Sequence, residues 1–107
     1  IIDAVADNAS AGLCVLGQEC EVPSVEQLGS LSISLFQNGN CMSQSDSAAD
    51  VLTWLTRLFV KMISWGRPVR AGDFVSSGAM SSPVNVSAGD QCEAKFDVLG
   101  TVTTQFS

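Results

Sequence analysis

The hydrophobic pattern of this sequence is helical in one stretch and strand-like on either side of it. Across residues 47–65, apolar residues recur in pairs at the spacing of one helix face. The pairs are 51/52, 54/55, 58/59 and 62/63. Ser47 followed by Asp50 resembles a capping box, and Gly66 and Pro68 are typical of a helix end. The pattern therefore predicts one long amphipathic helix over about 47–65, whose expected role is to cover a sheet.

Short strand-like runs precede the helix. Residues 11–17 form an apolar run bounded by glycines, and residues 19–29 have the composition of a loop. Residues 30–36 alternate apolar and polar, as in a strand with one buried face. The Asn38-Gly39 pair favours a type I′ turn, so we predict a hairpin whose return strand contains Cys41.

Strand-like runs also follow the helix, separated by glycine-containing turns. They lie at 73–79, 83–86, 91–98 and 100–106. Helices do not alternate with strands along the chain, which excludes a doubly wound parallel sheet. The sequence therefore predicts a single α+β domain over residues 1–107, with one long helix among six or seven strands.

Composition and charge narrow the possible partners. Of the 107 residues, 46% are hydrophobic and 15% charged, which is typical of a folded chain. Five basic against eleven acidic residues give a net charge of -6, which disfavours nucleic acid and anionic membranes as partners. No apolar run approaches the roughly 20 residues that span a bilayer, and no signal peptide is visible at Ile1. We expect a cytoplasmic protein.

The basic residues are concentrated in one region of the sequence. Four of the five lie in or just after the predicted helix, at Arg57, Lys61, Arg67 and Arg70. A solvated helix face is the favoured interpretation, and an anion site is the alternative.

The four cysteines allow two interpretations. They are Cys14, Cys20, Cys41 and Cys92. Their even number is compatible with two disulfides, but their spacing does not match a disulfide framework or a zinc site. Buried, reduced thiols of a cytoplasmic protein are favoured.

Residue types restrict the possible chemistry. The chain has no histidine, so a Ser-His-Asp or Cys-His arrangement is excluded. Glu19 and Glu21 come nearest to a carboxylate pair for a cation, although a solvated loop is favoured there. Two polar clusters remain, at 7–10 (DNAS) and 76–82 (SSGAMSS), and local turns explain each of them taken alone.

Five motifs, read in order, resemble one enzyme family. They are D-N-A-S at Asp7 to Ser10, G-x-P-x-R-A-G-D at Gly66 to Asp73, Ser77-Gly78, P-V-x-V-x-x-G-D at Pro83 to Asp90, and L-G-x-V at Leu99 to Val102. From Val5 to Phe106 the chain resembles the C-terminal part of 2-keto-4-pentenoate hydratases. These belong to the fumarylacetoacetate hydrolase superfamily, with 2-oxo-hept-3-ene-1,7-dioate hydratases and 4-oxalocrotonate decarboxylases.

The resemblance implies a fold, an activity and a set of pocket residues. The fold is a mostly β mixed sheet or roll, and the enzymes form oligomers. They hydrate 2-hydroxydienoates or decarboxylate related diacids, with Mg²⁺ or Mn²⁺ stabilising the enolate. By position, Asp7, Asn8 and Ser10 match a substrate-pocket segment. Ser77 and Gly78 match a turn, usually Thr-Gly, that binds a substrate carboxylate.

The sequence also departs from the family. The family's metal-binding carboxylates and its proton-transferring lysine lie before D-N-A-S, so the resemblance assigns this chain no catalytic residue, metal ligand or cofactor. We therefore expect a truncated hydratase-like domain that forms oligomers and is inactive alone. One alternative is part of an active Mg²⁺-dependent lyase, completed by a complementary N-terminal half. The other is a 2-oxo-acid binding module anchored by Asn8, Ser10 and Ser77.

Overall fold

A four-stranded sheet and two helices make up the regular secondary structure of the described residues. The structure, a computed structural model, describes residues 12–46 and 51–107. In chain order the elements are α1 (Val25–Gly29), β1 (Ile33–Gln37), β2 (Asn40–Ser45), α2 (Val51–Ser64), β3 (Gln91–Phe96) and β4 (Gly100–Gln105). The predicted α+β class with one long helix is confirmed. The sheet has the order β2-β1-β3-β4 and all its pairs are antiparallel, where a mixed sheet was expected.

The predicted hairpin is confirmed by its backbone angles. Asn38 and Gly39 have φ values of 50° and 81°, and a type I′ turn requires positive values at both positions. Strands β1 and β2 pair on either side of this turn, with an irregularity between Leu35 and Phe36. The local sequence therefore determines the turn that sets the register of the two strands.

The core lies on one face of the sheet. Leu31 and Ile33 are buried there, and four partly buried residues pack against them. These are Val51, Met80, Phe96 and Leu99. Ile33 pairs with Phe96 across β1 and β3, which places both side chains on this face. Residues from β1, the start of α2, the segment after α2 and β3 therefore meet over the sheet.

The opposite face of the sheet is polar. Lys95 Nζ lies 3.0 Å from Glu93 Oε1 and 4.7 Å from the centroid of the Phe36 ring. All three side chains are partly or largely exposed, so this cluster contributes little to stability. Its value to the fold is that Lys95 covers an aromatic ring that the core does not reach.

Helix α2 ends where the sequence predicts. The Arg67 amide donates to the Met62 carbonyl and the Gly66 amide to the Ile63 carbonyl, both at 2.9 Å. These two bonds, with φ of 70° at Gly66, form a Schellman motif. The predicted N-terminal cap at Ser47 and Asp50 lies outside the described residues.

The expectation that α2 covers the sheet holds for its first turn alone. Val51 packs against the core, but no residue of α2 is buried. Side chains farther along the helix are exposed by 63% at Val60, 64% at Ile63 and 58% at Trp54. Most of the apolar surface of α2 is therefore left without a partner in the part of the chain that is described. With 14 residues, α2 is also too short to span a bilayer, and no other described helix is long and apolar enough to do so.

Helix α1 lies within residues 19–29, which were predicted as a loop. Gln27 N donates to Ser24 Oγ at 3.2 Å, and Ser24 N donates to Gln27 Oε1 at 2.9 Å. This is a complete capping box. The S-x-x-Q signal was present in the sequence, but the helix is five residues long and has no apolar periodicity to accompany it.

Three predicted strands are not strands. Residues 12–17 of the first run, and the whole of 73–79 and 83–86, form no strand in the structure. A strand-like sequence pattern determines which face of a strand would be apolar. A strand forms only if a second backbone also lies alongside and pairs with it through hydrogen bonds. The other predicted strands, 91–98 and 100–106, are confirmed as β3 and β4 with slightly shorter bounds.

The cysteine prediction is partly correct: the thiols are free, but most of them are not buried. All four cysteines are free, as predicted. Cys92 is buried in β3, but Cys14, Cys20 and Cys41 are exposed, so the prediction of buried thiols is wrong for these three. Their strand-like surroundings suggested burial, and the described chain supplies nothing to cover them.

Candidate functional site

An open groove separates the C-terminal half of α2 from the segment that follows it. Its volume is about 1060 Å³. Leu58 and Met62 form the helical wall, and much of the segment 66–79 forms the other. A smaller hollow of about 210 Å³ shares Leu58 and Ser76 with the groove. The G-x-P-x-R-A-G-D motif and the Ser-Gly motif therefore border adjoining parts of one depression.

A tight turn gives the wall of the groove its shape. The Asp73 amide donates to the Arg70 carbonyl at 3.1 Å, and the Arg70 amide donates to Asp73 Oδ2 at 2.7 Å. The Asp73 side chain thus adds a second bond between the two ends of the turn. The aspartate of the R-A-G-D motif therefore acts on the backbone of the groove wall.

The same device recurs in the S-A-G-D sequence at 87–90. The Asp90 amide donates to the Ser87 carbonyl at 3.1 Å, and the Ser87 amide donates to Asp90 Oδ2 at 2.8 Å. Both A-G-D sequences therefore build the same turn, one in the groove wall and one before β3. Two of the five motifs that carried the family resemblance therefore share a structural element that explains their common residues.

Asp90 also joins this second turn to the β1–β2 hairpin. Its carboxylate accepts from Asn38 Nδ2 at 2.7 Å and from Gln37 Nε2 at 2.8 Å. These donors and the Ser87 amide stabilise the charged form, with Asn38 the largest contributor, and they lower the pKa of Asp90 from 3.8. Asn38 bonds in turn to both backbone groups of Gln91. Asp90 is thus an acceptor that positions the start of β3.

The basic residues divide into two sets. Arg57 and Lys61 lie on α2, each 5.2 Å from the ring centroid of a tryptophan, Trp54 and Trp65 respectively. These two fit the predicted solvated helix face. Arg67 and Arg70 follow the end of α2 and line the groove, so the prediction of a helix face is wrong for them.

Charge in the groove is therefore positive. Asp73 is the one acidic residue in its lining, and its Oδ2 already accepts from the Arg70 amide. The groove combines apolar walls with two guanidinium groups, which suits a ligand or segment that has apolar and acidic parts.

The sequence-predicted site residues fall into two groups. Ser77 borders the smaller hollow beside Trp54 and Leu55, and Gly78 borders the groove with φ of 99°. The structure brings these two next to the apolar face of α2. The segment at 7–10 that contains Asp7, Asn8 and Ser10 lies outside the described residues, so its place in a pocket stays a prediction.

A metal site needs several donor side chains that converge on one point. Among residues 12–46 and 51–107, no three His, Cys, Asp or Glu side chains are grouped closely enough to hold a metal ion. Glu19 and Glu21 are both exposed. The described residues therefore do not fit a divalent cation by themselves, because such a cation needs several oxygen ligands converging on one point.

Comparison with known families settles what kind of chain this is. A sequence model of the family described as "Fumarylacetoacetate (FAA) hydrolase C-terminal" matches residues 2–107. The chain belongs to the fumarylacetoacetate hydrolase family.

Curated proteins similar to this chain are named as hydratases. A 2-keto-4-pentenoate hydratase of Paraburkholderia xenovorans (strain LB400) is 34% identical over 98% of this chain and 40% of its own length. A 2-hydroxyhexa-2,4-dienoate hydratase of Comamonas testosteroni is 28% identical over 100% of this chain and 42% of its own. The fumarylacetoacetate hydrolase-family chain thus spans about 40% of the length of the curated relatives it matches.

Solved structures agree with the sequence comparison. The 4-oxalocrotonate decarboxylase from Pseudomonas putida G7, complexed with calcium and acetate, superposes with a TM-score of 0.83 at 28% identity. The match covers 99% of this chain and 42% of the decarboxylase. The same enzyme complexed with magnesium and adipate gives the same TM-score and identity. The resemblance stated from the five motifs is therefore confirmed.

Proposed function

We propose that this chain forms the C-terminal part of a hydratase-like lyase, supplies one wall of its substrate pocket, and does not catalyse alone. The observation that carries the proposal is the match of almost the whole chain to about 40% of a 2-keto-4-pentenoate hydratase. A second support is the Ser77-Gly78 turn, which lies beside an apolar hollow.

The pocket wall fits a short unsaturated acid. The Ser77 hydroxyl and nearby backbone amides would donate to the substrate carboxylate, while Trp54 and Leu58 contact its hydrocarbon part. In the proposal, Asp7, Asn8 and Ser10 complete this wall. An apolar surface with a few placed donors binds and orients such a substrate.

The residues that the structure describes do not account for the chemical step. Hydration or decarboxylation of a 2-oxo acid passes through an enolate, whose charge must be stabilised. A divalent cation supplies that stabilisation when one is bound. Because the described donors do not fit a cation, we assign its ligands, and the proton-transferring group, to a complementary polypeptide.

Mixing the two parts tests the proposal. This chain would be combined with the separately produced N-terminal 60% or so of the P. xenovorans hydratase. Hydration of 2-hydroxypenta-2,4-dienoate would be followed with Mg²⁺ by the loss of its dienol absorbance. We expect turnover in the mixture and none with either part alone. Turnover by this chain alone, or a mixture with neither turnover nor a complex, would contradict the proposal.

A matched pair of serine variants tests the pocket assignment in that mixture. Ser77→Ala removes one hydrogen bond to a charged group, so we expect KM to rise by about tenfold or more. Ser64→Ala is the control, because Ser64 Oγ donates to the Lys61 carbonyl at the end of α2 and lies outside the groove. An equal effect of both variants would remove Ser77 from the substrate wall.

A 2-oxo-acid binding module is the second candidate, and the position of Trp54 favours testing it. Trp54 and Ser77 border the same hollow, so ligand binding there would alter tryptophan fluorescence. We would titrate the chain with pyruvate and with oxalate and follow its tryptophan fluorescence. A signal that saturates and is lost in Ser77→Ala supports a binding module, and no change at millimolar ligand contradicts it.

Two further expectations belong to this proposal. The exposed apolar side chains of α2 support self-association, which light scattering over a range of concentrations would detect. A strictly monomeric species at high concentration would count against a homo-oligomer. A cytoplasmic location stays a prediction from the sequence.

A further inference from the structure

The turn at Ser77-Gly78 lies between two fixed points of the chain. The first is closed by Asp73, whose Oδ2 accepts from the Arg70 amide at 2.7 Å while its own amide donates to the Arg70 carbonyl at 3.1 Å. Bonds between a side chain and nearby backbone determine the local course of a chain outside helices and strands. The backbone therefore leaves Asp73 toward Ser77 in a set direction.

The second fixed point is Met80, which follows shortly after Gly78. Met80 is half-buried and packs against Leu31 and Ile33, the buried core of the sheet. The residues between Asp73 and Met80 belong to no helix or strand. Since they do not lie in a regular element, their course depends on where the two fixed points hold the chain.

The Ser77 hydroxyl depends on this course for its place beside α2. Ser77 borders the smaller hollow with Trp54 and Leu55. Gly78 borders the adjoining groove, with φ of 99°. Hydrogen bonds from a hydroxyl span about 2.5–3.0 Å, so a displacement of about 1 Å removes one. A change at Asp73 that lets the backbone shift would therefore separate the Ser77 hydroxyl from a ligand carboxylate.

We propose that Asp73 is a positioning residue for the substrate: its bond to the Arg70 amide holds the Ser77 hydroxyl where it can donate to the substrate carboxylate. The inference rests on the proposed function, which gives Ser77 that role. Asp73 acts as a hydrogen-bond acceptor for the backbone, and it neither touches the substrate nor exchanges a proton with it. Another acceptor in its place should therefore preserve function, whatever its charge.

The aspartate of the other A-G-D turn has a different requirement. Both oxygens of Asp90 accept, Oδ2 from the Ser87 amide at 2.8 Å and Oδ1 from Asn38 at 2.7 Å. Asparagine there would direct its own side-chain N–H groups at one of these donors. At Asp73, the Arg70 amide needs a single acceptor oxygen, which asparagine also supplies. Thermal unfolding should therefore show a lower Tm for Asp90→Asn than for Asp73→Asn.

Two variants of Asp73 separate positioning from charge. Asp73→Asn keeps the acceptor for the Arg70 amide and removes the negative charge, whereas Asp73→Ala removes both. In the mixture with the N-terminal part of the P. xenovorans hydratase, we expect Asp73→Ala to raise KM by about tenfold or more, with a smaller effect on kcat. Asp73→Asn should leave KM within about twofold of the parent value.

The opposite result would identify a role for the charge of Asp73. An acidic group in the wall repels an anionic substrate, so removing its charge alone would lower KM. Both variants would then change KM alike and in the same direction. Equal changes of KM in Asp73→Ala and Asp73→Asn would therefore overturn the inference.

A second measurement does not depend on turnover. In the amide NMR spectrum of the chain alone, Asp73→Ala should shift the signals of Ser77 and Gly78, and Asp73→Asn should leave them near their parent positions. Asp46→Ala is the matched control, because Asp46 accepts from Ser32 Oγ at 3.0 Å and lies outside the groove. Unshifted signals in Asp73→Ala, or equal shifts in Asp46→Ala, would contradict positioning by Asp73. The amide signals of β1 and β3 verify that the sheet is intact.

A pair of core truncations tests the second fixed point. Met80→Ala and Leu99→Ala each shorten a partly buried side chain that packs against Leu31 and Ile33. Both should lower stability, but Met80→Ala should also raise KM and shift the Ser77 signal, because Met80 lies next in the chain to the turn. Equal effects of the two variants on KM and on that signal would show that Met80 does not hold the turn.

The outcomes separate this inference from the proposed function. Turnover in the mixture with an unchanged KM in Asp73→Ala would refute the positioning role and leave the lyase function standing. Shifted Ser77 and Gly78 signals in Asp73→Ala, without turnover by the parent mixture, would support the positioning of the turn and refute the catalytic assignment.

Discussion

Gly17 lies where the segment before α1 meets the sheet, and replacing it by alanine is predicted to destabilise the fold. A Cβ added at Gly17 would lie 2.9 Å from Val102 Cγ2 in β4. Carbon atoms in favourable contact are about 3.5–4.0 Å apart. Because Val is branched at Cβ and stiff at χ1, the methyl group cannot simply rotate away.

Two opposing effects set the size of the change. Overpacking of this kind costs about 1–3 kcal/mol. Replacing glycine by alanine also lowers the conformational entropy of the unfolded chain, which stabilises by about 0.4–1 kcal/mol. The steric effect is larger, so we expect Gly17→Ala to lower the free energy of unfolding by about 1 kcal/mol. For a domain of this size that lowers Tm by about 4–8 °C.

Thermal and urea unfolding of four proteins measures this contact. They are the parent chain, Gly17→Ala, Val102→Ala and the double variant. Val102→Ala removes the clashing methyl group. The double variant should therefore lose less stability than the two single variants lose together, by about 0.5 kcal/mol or more. Gly29→Ala is the matched control, because nothing lies within 4 Å of its added Cβ, and it should stabilise slightly.

The reasoning is refuted by either of two results. One is a Gly17→Ala variant at least as stable as the parent chain. The other is strict additivity with Val102→Ala, which would show that the two residues do not touch.

Three further predictions concern the core, the end of α2 and the Asp90 cluster. Leu31→Ala truncates a residue that is 5% exposed, so urea unfolding should show a loss of about 2–4 kcal/mol. Gly66→Ala places a side chain at φ of 70° and should lower stability by about 1 kcal/mol, whereas Gly66→Asn should cost less. The pKa of Asp90 is lower in the folded chain than its ordinary 3.8, so its stabilisation is present above pH 3.8 and is lost as the pH falls through the folded value. The parent chain should therefore lose more stability in that acidic window than Asp90→Asn, and equal pH profiles would contradict the cluster.

Local signals in the sequence were sufficient for elements whose hydrogen bonds are local. The Asn38-Gly39 turn, the Schellman end of α2 at Gly66 and the β3–β4 hairpin each depend on neighbours within a few residues. Helix α1 is of the same kind, since its capping box joins Ser24 and Gln27. It was missed because a helix of five residues leaves no apolar repeat to support the signal.

Two residues beside the groove were singled out from the sequence, but their arrangement was not. Motif matching found Ser77 and Gly78, and the structure places them beside α2. Nothing in the sequence indicated that Arg67 and Arg70 line a groove, because this depends on the way the chain turns back along the helix after Gly66. The role of Asp90 was equally hidden, since its partners Gln37 and Asn38 are 53 and 52 residues away.

The sequence by itself determined the helix, its end, the two hairpins and the family, because each depends on short-range periodicity, turn chemistry or motif order. Tertiary structure decided which strand-like runs became strands, because a ladder forms when a second backbone lies alongside. Residues 30–36, 91–98 and 100–106 have such a neighbour within the chain, whereas 73–79 has none among the described residues. Equal patterns therefore gave different structures, and the difference lies in the availability of a hydrogen-bonding partner.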